Sequence, residues 1–211
     1  RRARVVRHHL LQHAARGTVG SSLRLRYASA EQQVSICQGH DESVACSVKL
    51  VAATRPELVP YGYLERFVSG KDEQKSLSQE CLEAMLFLMK KETMKQDVFL
   101  LGPPGRIKRD LVLAYCELVG REVEYVPISQ DTTVSDLSQR REIKSGSVIF
   151  VDGPATRGAL FGRVLLLEGI EKAERNVLSV LNNLLENREM QLEDGRFLTS
   201  PSRFDALTQN V

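Results

Sequence analysis

The clearest chemical pattern lies in the stretch FLLGPPGRIKRDLV, from Phe99 to Val112. Phosphate-binding loops follow G-x-x-x-x-G-K-[ST]: backbone N–H groups surround the phosphates, the lysine reaches the outer ones and the hydroxyl holds Mg²⁺. Gly102, Gly105 and Lys108 match this pattern. An apolar strand is predicted before the loop and a helix after it, and a helix N-terminus favours an anion. The stretch therefore predicts a phosphate site.

Two positions depart from the pattern. Ile107 stands where the last glycine belongs, and its stiff β-branched side chain is expected to crowd a backbone that must approach phosphate. Arg109 replaces the hydroxyl; a cation cannot ligate a metal, although it can contact phosphate. A purely structural Gly-Pro-Pro-Gly turn remains an alternative. The predicted nucleotide-binding residues are Gly102, Pro103, Pro104, Gly105, Arg106, Ile107, Lys108 and Arg109.

From Gln96 onwards, predicted strands alternate with predicted helices. The strands are DVFLLG, EVEYVPI, SVIFVDGP and RVLLLEG. The helices are KRDLVLAYCELV, closed by Gly120, a capped helix TVSDLSQRREIKSG ending at Gly146, ATRGALFG and AERNVLSVLNNLLENRE; a hairpin MQLEDGRFL follows. This alternation favours an α/β fold whose working edge is formed by loops at the strand C-termini.

The chain before Gln96 is predicted to extend this core. Residues 31–55 carry one or two strands, and Pro56 and Pro60 make 54–67 an extended segment. A polar link at 69–75 leads to a helix that begins at Ser76 or Ser78 and reaches about Lys91.

The first 30 residues contain seven arginines and no acid, whereas the remainder holds 22 basic and 27 acidic residues. An Arg- and Ser-rich, acid-free start is typical of a mitochondrial transit peptide, predicted here as residues 1–28 with cleavage near Tyr27. A disordered basic arm that touches acidic surfaces or nucleic acid is the alternative. The acidic body and the lack of interleaved aromatics argue against nucleic-acid binding.

The four cysteines have no metal-binding spacing, so we expect free thiols and no zinc site. No apolar run approaches the roughly 18–20 residues that cross a membrane, so no transmembrane segment is predicted.

The motif GPPG and the later segment GRVLLLEGIEKAERNVLSVLNNLLENREMQLEDG together resemble AAA+ ATPases of the MoxR, midasin and dynein-related branch. In that branch a hydrophobic strand ends in Asp-Glu and leads to a helix and a hairpin; here 165–167 match the strand, and Ile170 and Ala173 fall in register. Residues 131–137 and 150–164 are also similar to it. Over about 45–205, the chain resembles mitochondrial members that carry a von Willebrand factor A domain.

The resemblance implies a P-loop NTPase (AAA+) fold: a three-layer α/β structure with a parallel sheet, helices on both faces, and an incomplete C-terminus. It implies a transit peptide at 1–28, an extension at 29–75 and a truncated AAA+ domain at 76–211. The implied ligands are ATP and Mg²⁺, and the full-length protein is expected to form a homo-oligomeric ring in mitochondria.

The resemblance also assigns the acidic residues. Glu168 stands at the position of the Mg²⁺-facing aspartate, so it is a predicted metal ligand and catalytic residue. Gly169 replaces the water-activating glutamate, and Glu171, at the usual Asn position, is a second catalytic candidate. Solvated acids at a turn are the alternative interpretation of Glu168 and Glu171.

Both nucleotide motifs are thus degenerate, and hydrolysis is expected of the full-length protein but weak or absent in this piece. Phosphoryl transfer also needs an arginine supplied in trans, which AAA+ rings take from a neighbouring subunit. A non-hydrolysing assembly module of an AAA+ ring is the alternative function. The similarity of the segment 150–196 to midasin argues against a small-molecule kinase.

Overall fold

The computed structural model describes four parts of the chain: residues 23–28, 32–38, 43–69 and 76–209. The chain divides into two compact units, Arg1–Glu122 and Val123–Val211. Most of the predicted transit peptide and most of the polar link at 69–75 lie outside the described residues.

The first unit contains antiparallel strands, two long helices and two short 3₁₀ turns. Its strands are β1 (Leu23–Ala28), β2 (Gln33–Gln38), β3 (Ser43–Lys49), β4 (Val68–Ser69) and β5 (Ser76–Leu77). Its helices are α1 (Gln79–Thr93) and α2 (Ile107–Val119), and the 3₁₀ turns are Pro56–Leu58 and Leu64–Phe67.

Strands β1, β2 and β3 form one antiparallel sheet in that order. Val34 and Ile36 of the central strand are fully buried. One or two strands are predicted within 31–55, and β2 and β3 confirm the prediction. Tyr27 pairs with Val34, so a cut near Tyr27 would remove most of β1. The sheet therefore favours a boundary of the predicted leader ahead of Leu23.

Both predicted helices of this unit are confirmed. Ser78 begins α1 by accepting the Cys81 N–H at 3.3 Å. Gly120, at a left-handed φ of +82°, ends α2 and donates its N–H to the Cys116 carbonyl at 2.8 Å. Only glycine adopts that conformation at little cost, which explains the position of the helix end.

The strand predicted before the phosphate loop is wrong. No strand covers 97–101, and the structure pairs this segment with no other strand among the described residues. Phe99 is 69% exposed and Leu101 is 83% exposed. An apolar run becomes a strand only where a neighbouring strand accepts its backbone hydrogen bonds, and no strand of the described parts of the chain pairs with this run. The extended conformation predicted for 54–67 is likewise replaced by the two 3₁₀ turns.

The second unit mixes a parallel pair of strands with antiparallel hairpins. Its strands are β6 (Val123–Pro127), β7 (Gln139–Lys144), β8 (Ser147–Asp152), β9 (Val164–Glu168), β10 (Met190–Gln191) and β11 (Phe197–Leu198). Its helices are α3 (Val134–Leu137), α4 (Pro154–Phe161), α5 (Arg175–Asn182) and α6 (Pro201–Thr208); a wider π-type turn, Asn183–Asn187, continues α5.

Strands β6 and β9 run parallel, from Val123 opposite Val164 to Pro127 opposite Glu168. The core beside them holds Val126, Ile128, Leu137, Ala155, Val177 and Leu181. The parallel pair with helices in its crossover confirms the predicted α/β character. The other pairings in the described residues are antiparallel. In those residues the β6–β9 ladder is therefore the part of the predicted parallel sheet that the structure shows.

The capped helix predicted to reach Gly146 is wrong beyond its first turn. Thr133 and Asp136 form a reciprocal capping box, but the helix ends at Leu137. The chain then forms the β7–β8 hairpin through Ser145 and Gly146, whose φ angles are +52° and +79°. Two left-handed residues give the turn that joins antiparallel strands tightly, and this turn replaces the helix end.

The remaining predictions for this unit are confirmed: the strands β6, β8 and β9, the short helix α4, the helix α5 with its π-type continuation, and the hairpin β10–β11 around Asp194 and Gly195. The sequence did not predict α6. No helix in the described parts of the chain combines the length and apolar character that a membrane span requires.

Candidate functional site

The predicted phosphate loop is an exposed, irregular segment that leads directly into α2. Residues 102–107 are exposed, and Gly105 has a φ of +140°, a conformation that residues with side chains rarely adopt. Helix α2 begins at Ile107, and the Arg106 side chain does not cap it. The first N–H groups of such a helix lack intrahelical partners and favour an anion.

Lys108 lies across this loop. Its ammonium group donates hydrogen bonds to the carbonyls of Gly102 and Pro103, both at 2.7 Å. The lysine thus places its charge against the loop backbone and holds the loop in shape. Because both contacts are to neutral, exposed carbonyls, a charged phosphate oxygen can replace them as the stronger partner.

The two departures from the loop pattern have different surroundings. The Ile107 side chain is 72% exposed and takes no part in the core. The Arg109 guanidinium, by contrast, lies against the first turn of α2, with Nε 3.5 Å from Oδ1 of Asp110. Arg109 therefore brings a positive charge to the start of the helix.

Two further charged residues, Asp110 and Arg66, lie beside the start of α2 and were not predicted. Asp110 is 4% exposed, and its Oδ2 lies 2.7 Å from Nη1 of Arg66 and 3.8 Å from Nε of Arg106. The group formed by Arg66, Arg106, Lys108, Arg109 and Asp110, the cationic cluster, has four positive charges and one negative charge. Its net charge favours a phosphate-bearing ligand.

Glu117 of α2 fixes the segment that carries Arg66. Its carboxylate, 4% exposed, accepts N–H groups from Gly62, Tyr63 and Leu64 at 2.9, 2.8 and 2.9 Å. Two residues later, Arg66 reaches Asp110, and its guanidinium lies 4.5 Å from the ring centre of Tyr63. Glu117 thus positions Arg66 beside the loop helix. Sequence spacing could not find this, because Arg66 and Asp110 are separated by α1.

In the second unit, Glu168 ends strand β9. Its carboxylate Oε2 accepts a hydrogen bond of 2.5 Å from the Tyr125 hydroxyl, and its backbone carbonyl accepts the Ile128 N–H at 2.8 Å. Glu171 follows in the short turn Ile170–Lys172 and is exposed. This exposure is what the solvated interpretation of Glu171 expects.

Gly169, at the position of the expected base, has a left-handed φ of +82°. A Cβ built on it would lie 3.0 Å from the Ile128 carbonyl oxygen. Both the backbone conformation and the close neighbour favour glycine here. A glutamate at this position would therefore be strained by the left-handed backbone and crowded by the Ile128 carbonyl. The phosphate loop and Glu168 belong to different compact units.

The residues present suit a phosphate better than they suit the predicted Mg²⁺ ion. Mg²⁺ takes oxygen ligands, whereas Arg109 offers only N–H donors. Glu168 offers a single carboxylate, one oxygen of which accepts the Tyr125 hydroxyl. The described residues contain no group of three or more His, Cys, Asp or Glu that could hold a metal ion.

Comparison with known proteins identifies the fold family. The protein-family model described as "AAA domain (dynein-related subfamily)" matches residues 97–211. Von Willebrand factor A domain-containing protein 8 of Mus musculus is 52% identical over 164 residues, which are 78% of this chain and 8% of the mouse protein. The match includes more than the loop, since it extends over most of the chain.

Two further relatives are more distant. Protein NorQ of Paracoccus denitrificans is 31% identical over 93 residues, 44% of this chain and 34% of NorQ. Midasin of Giardia intestinalis is 26% identical over 191 residues, 88% of this chain and 4% of midasin. The chain thus spans about a third or less of the length of these relatives.

Proposed function

Because this chain belongs to the dynein-related subfamily of AAA domains, we propose that it is an ATP-binding module of a mitochondrial AAA+ ATPase. Residues 76–211 form the nucleotide-binding domain. Its Walker A motif (the phosphate loop) and its Walker B motif (the acidic strand end at Glu168) are both degenerate. Its family supports nucleotide binding, and its Arg-rich start supports a mitochondrial destination. The larger protein forms a homo-oligomeric ring, as AAA+ proteins typically do, and hydrolyses ATP with other modules.

The observation that carries this proposal is the cationic cluster at the start of α2. The loop presents Lys108 and Arg109, while Arg66 and Arg106 lie around the same buried Asp110. Backbone N–H groups at the start of the helix add a partial positive charge. A nucleotide phosphate supplies the negative charge that this arrangement lacks.

In the proposed complex, each residue has a limited task. The N–H groups that follow Gly105 hold phosphate oxygens, and Lys108 exchanges the two loop carbonyls for an outer phosphate. Gly102 and Gly105 allow the backbone to approach the ligand. In the family Mg²⁺ would supply charge neutralisation during phosphoryl transfer, but Arg109 has no lone pair with which to ligate it.

Hydrolysis at this module is weak or absent in our proposal. Gly169 offers no carboxylate to activate water. Glu171 is exposed in a separate turn, so it is a weak substitute for the base. Turnover by this chain above about 1 s⁻¹, the low end for ordinary enzymes, would contradict the proposal.

A second candidate is a non-hydrolysing assembly module that no longer binds nucleotide. The contacts of Lys108 with Gly102 and Pro103 favour it, since they complete the turn without a ligand. In that case the loop serves only to join the segment before it to α2.

Calorimetric titration of the 211-residue chain with ATP and ADP tests the first candidate against the second. Lys108→Ala is compared with Lys90→Ala, which removes an exposed lysine of α1 away from the loop. We expect micromolar binding that falls by about tenfold or more in Lys108→Ala, since a hydrogen bond to a charged group contributes about 1.5–3 kcal/mol. Lys90→Ala should bind as the unchanged chain does. Absence of binding would favour the assembly module.

The mitochondrial part of the proposal has its own test. Sequencing the N-terminus of the mature protein from cells should give a start ahead of Leu23, where the β1 strand begins. A mature protein that retains its Arg-rich start would refute removal of a transit peptide.

A further inference from the structure

We propose that the loop binds its nucleotide without Mg²⁺, and that the guanidinium of Arg109 supplies the positive charge that the metal supplies in other phosphate loops. This inference rests on the proposed nucleotide binding and specifies the form of the ligand, the metal-free nucleoside polyphosphate.

The first step is the chemistry of position 109. In the loop pattern this position holds the hydroxyl that ligates Mg²⁺. Arginine presents N–H donors and no lone pair, and it stays charged at physiological pH. A guanidinium at this position therefore repels a divalent cation and attracts a phosphate oxygen.

The second step is the placement of Arg109. Its Nε lies 3.5 Å from Oδ1 of Asp110, and its side chain is 32% exposed. Asp110 is in turn held by Arg66 at 2.7 Å, so the carboxylate beside Arg109 is itself fixed. The charge therefore lies at the first turn of α2, next to the loop.

The third step is the local charge. The cationic cluster carries a net charge of +3, because Asp110 neutralises one of its four cations. A nucleotide without its metal is more negative than the metal complex. The cluster is thus the better match for the metal-free form, and adding Mg²⁺ would place a further cation among four.

The fourth step comes from the second unit and is independent of the loop. The Mg²⁺-facing position of the family is taken by Glu168, whose carboxylate accepts the Tyr125 hydroxyl. Parallel pairing of β6 with β9, which places Tyr125 opposite Leu166 and Pro127 opposite Glu168, keeps the phenol close to that carboxylate. The residue that follows is Gly169, so this strand end offers a metal a single carboxylate.

Calorimetric titration of the 211-residue chain with ATP, once in excess Mg²⁺ and once in EDTA, tests the inference. We expect the two dissociation constants to agree within about twofold, or the EDTA value to be lower. Affinity that rises about tenfold or more with Mg²⁺, equivalent to about 1.4 kcal/mol, would overturn the inference while leaving nucleotide binding intact. No binding under either condition would refute the proposed function, and this inference with it.

Two variants of Arg109 sharpen the test. Arg109→Thr restores the hydroxyl of the loop pattern and removes the charge, so ATP affinity in EDTA should fall by about tenfold and Mg²⁺ should now increase it. Arg109→Lys keeps the charge and should remain insensitive to Mg²⁺. If Arg109→Thr binds ATP in EDTA as tightly as the unchanged chain, Arg109 does not replace the metal. The comparison with and without Mg²⁺ in the unchanged chain decides the main point even if one variant fails to fold.

Discussion

Two of the left-handed glycines of the second unit, Gly162 and Gly169, allow a matched test of whether position 169 can accept a side chain. Gly162 ends α4 with a φ of +65°, and a Cβ built on it meets nothing within 4 Å. Gly169 has a φ of +82°, and the same Cβ would lie 3.0 Å from the Ile128 carbonyl oxygen. The peptide that carries the Ile128 carbonyl is held by the Ser129 N–H, which donates to Oγ1 of Thr132 at 2.9 Å, so the carbonyl has little freedom to withdraw.

The expected magnitudes follow from this difference. Replacing a left-handed glycine with alanine costs about 1–2 kcal/mol of backbone strain, so Gly162→Ala should lower the free energy of unfolding by that amount. Gly169→Ala adds a crowding cost of about 1 kcal/mol, the low end for overpacking. For a chain of this size the extra term should lower the Tm by about a further 2–4 °C.

Urea denaturation of both variants measures these costs, and a phosphate-release assay on Gly169→Glu adds the functional readout. Gly169→Glu should be at least as unstable as Gly169→Ala and should not hydrolyse ATP measurably faster than the unchanged chain. The reasoning fails if Gly169→Ala is as stable as Gly162→Ala, or if Gly169→Glu folds normally and turns over ATP.

Two further predictions concern buried carboxylates. Glu117→Gln replaces one of the two oxygens that accept three N–H groups, so it should lower the free energy of unfolding by about 1–3 kcal/mol. Glu65→Gln, at an exposed position, should change it little, and thermal melts of the two variants measure the difference. For Glu124, burial raises the pKa, but hydrogen bonds from Arg157 and Arg163 outweigh burial and hold it below its ordinary 4.5. The stability that Glu124 contributes is therefore present above pH 4.5 and lost as the pH falls further. Urea denaturation at a series of pH values should show that the free energy of unfolding falls less steeply with acid in Glu124→Gln than in the unchanged chain. An equal slope in the two proteins would contradict the ion pairs of Glu124. Because that change leaves the buried Arg163 without its carboxylate partner, it should also cost about 3–5 kcal/mol at neutral pH.

Local signals predicted the elements whose ends and buried faces are encoded nearby. The apolar stripe before Gly120 predicted α2, and Ser78 marked the start of α1. The strand β7 was missed because Gln139 is its one buried residue, so QRREIK carries no apolar alternation. Its strand conformation depends on pairing with β8 and on the Ser145–Gly146 turn.

The same limit applies to the candidate site. The loop pattern is contiguous, so Gly102, Gly105 and Lys108 could be predicted from the sequence. Arg66 and Tyr125 act through partners far along the chain, Asp110 and Glu168, and only tertiary structure brings them together. The strand predicted at 97–101 failed for a related reason, since strand formation depends on a neighbour that the segment does not itself encode.

The parallel ladder also has a consequence for the order of folding. Val123 pairs with Val164 across a long crossover, whereas Lys144 pairs with Ser147 across a two-residue turn. Loop-closure entropy must be overcome before distant strands meet, and hairpins form within about 1–10 μs. The β7–β8 hairpin is therefore expected to form early within the second unit. The carboxyl end of β9, with Glu168 and Gly169, should acquire its geometry only in the last, cooperative step, so this strand end is the part of the second unit most delayed in a refolding chain.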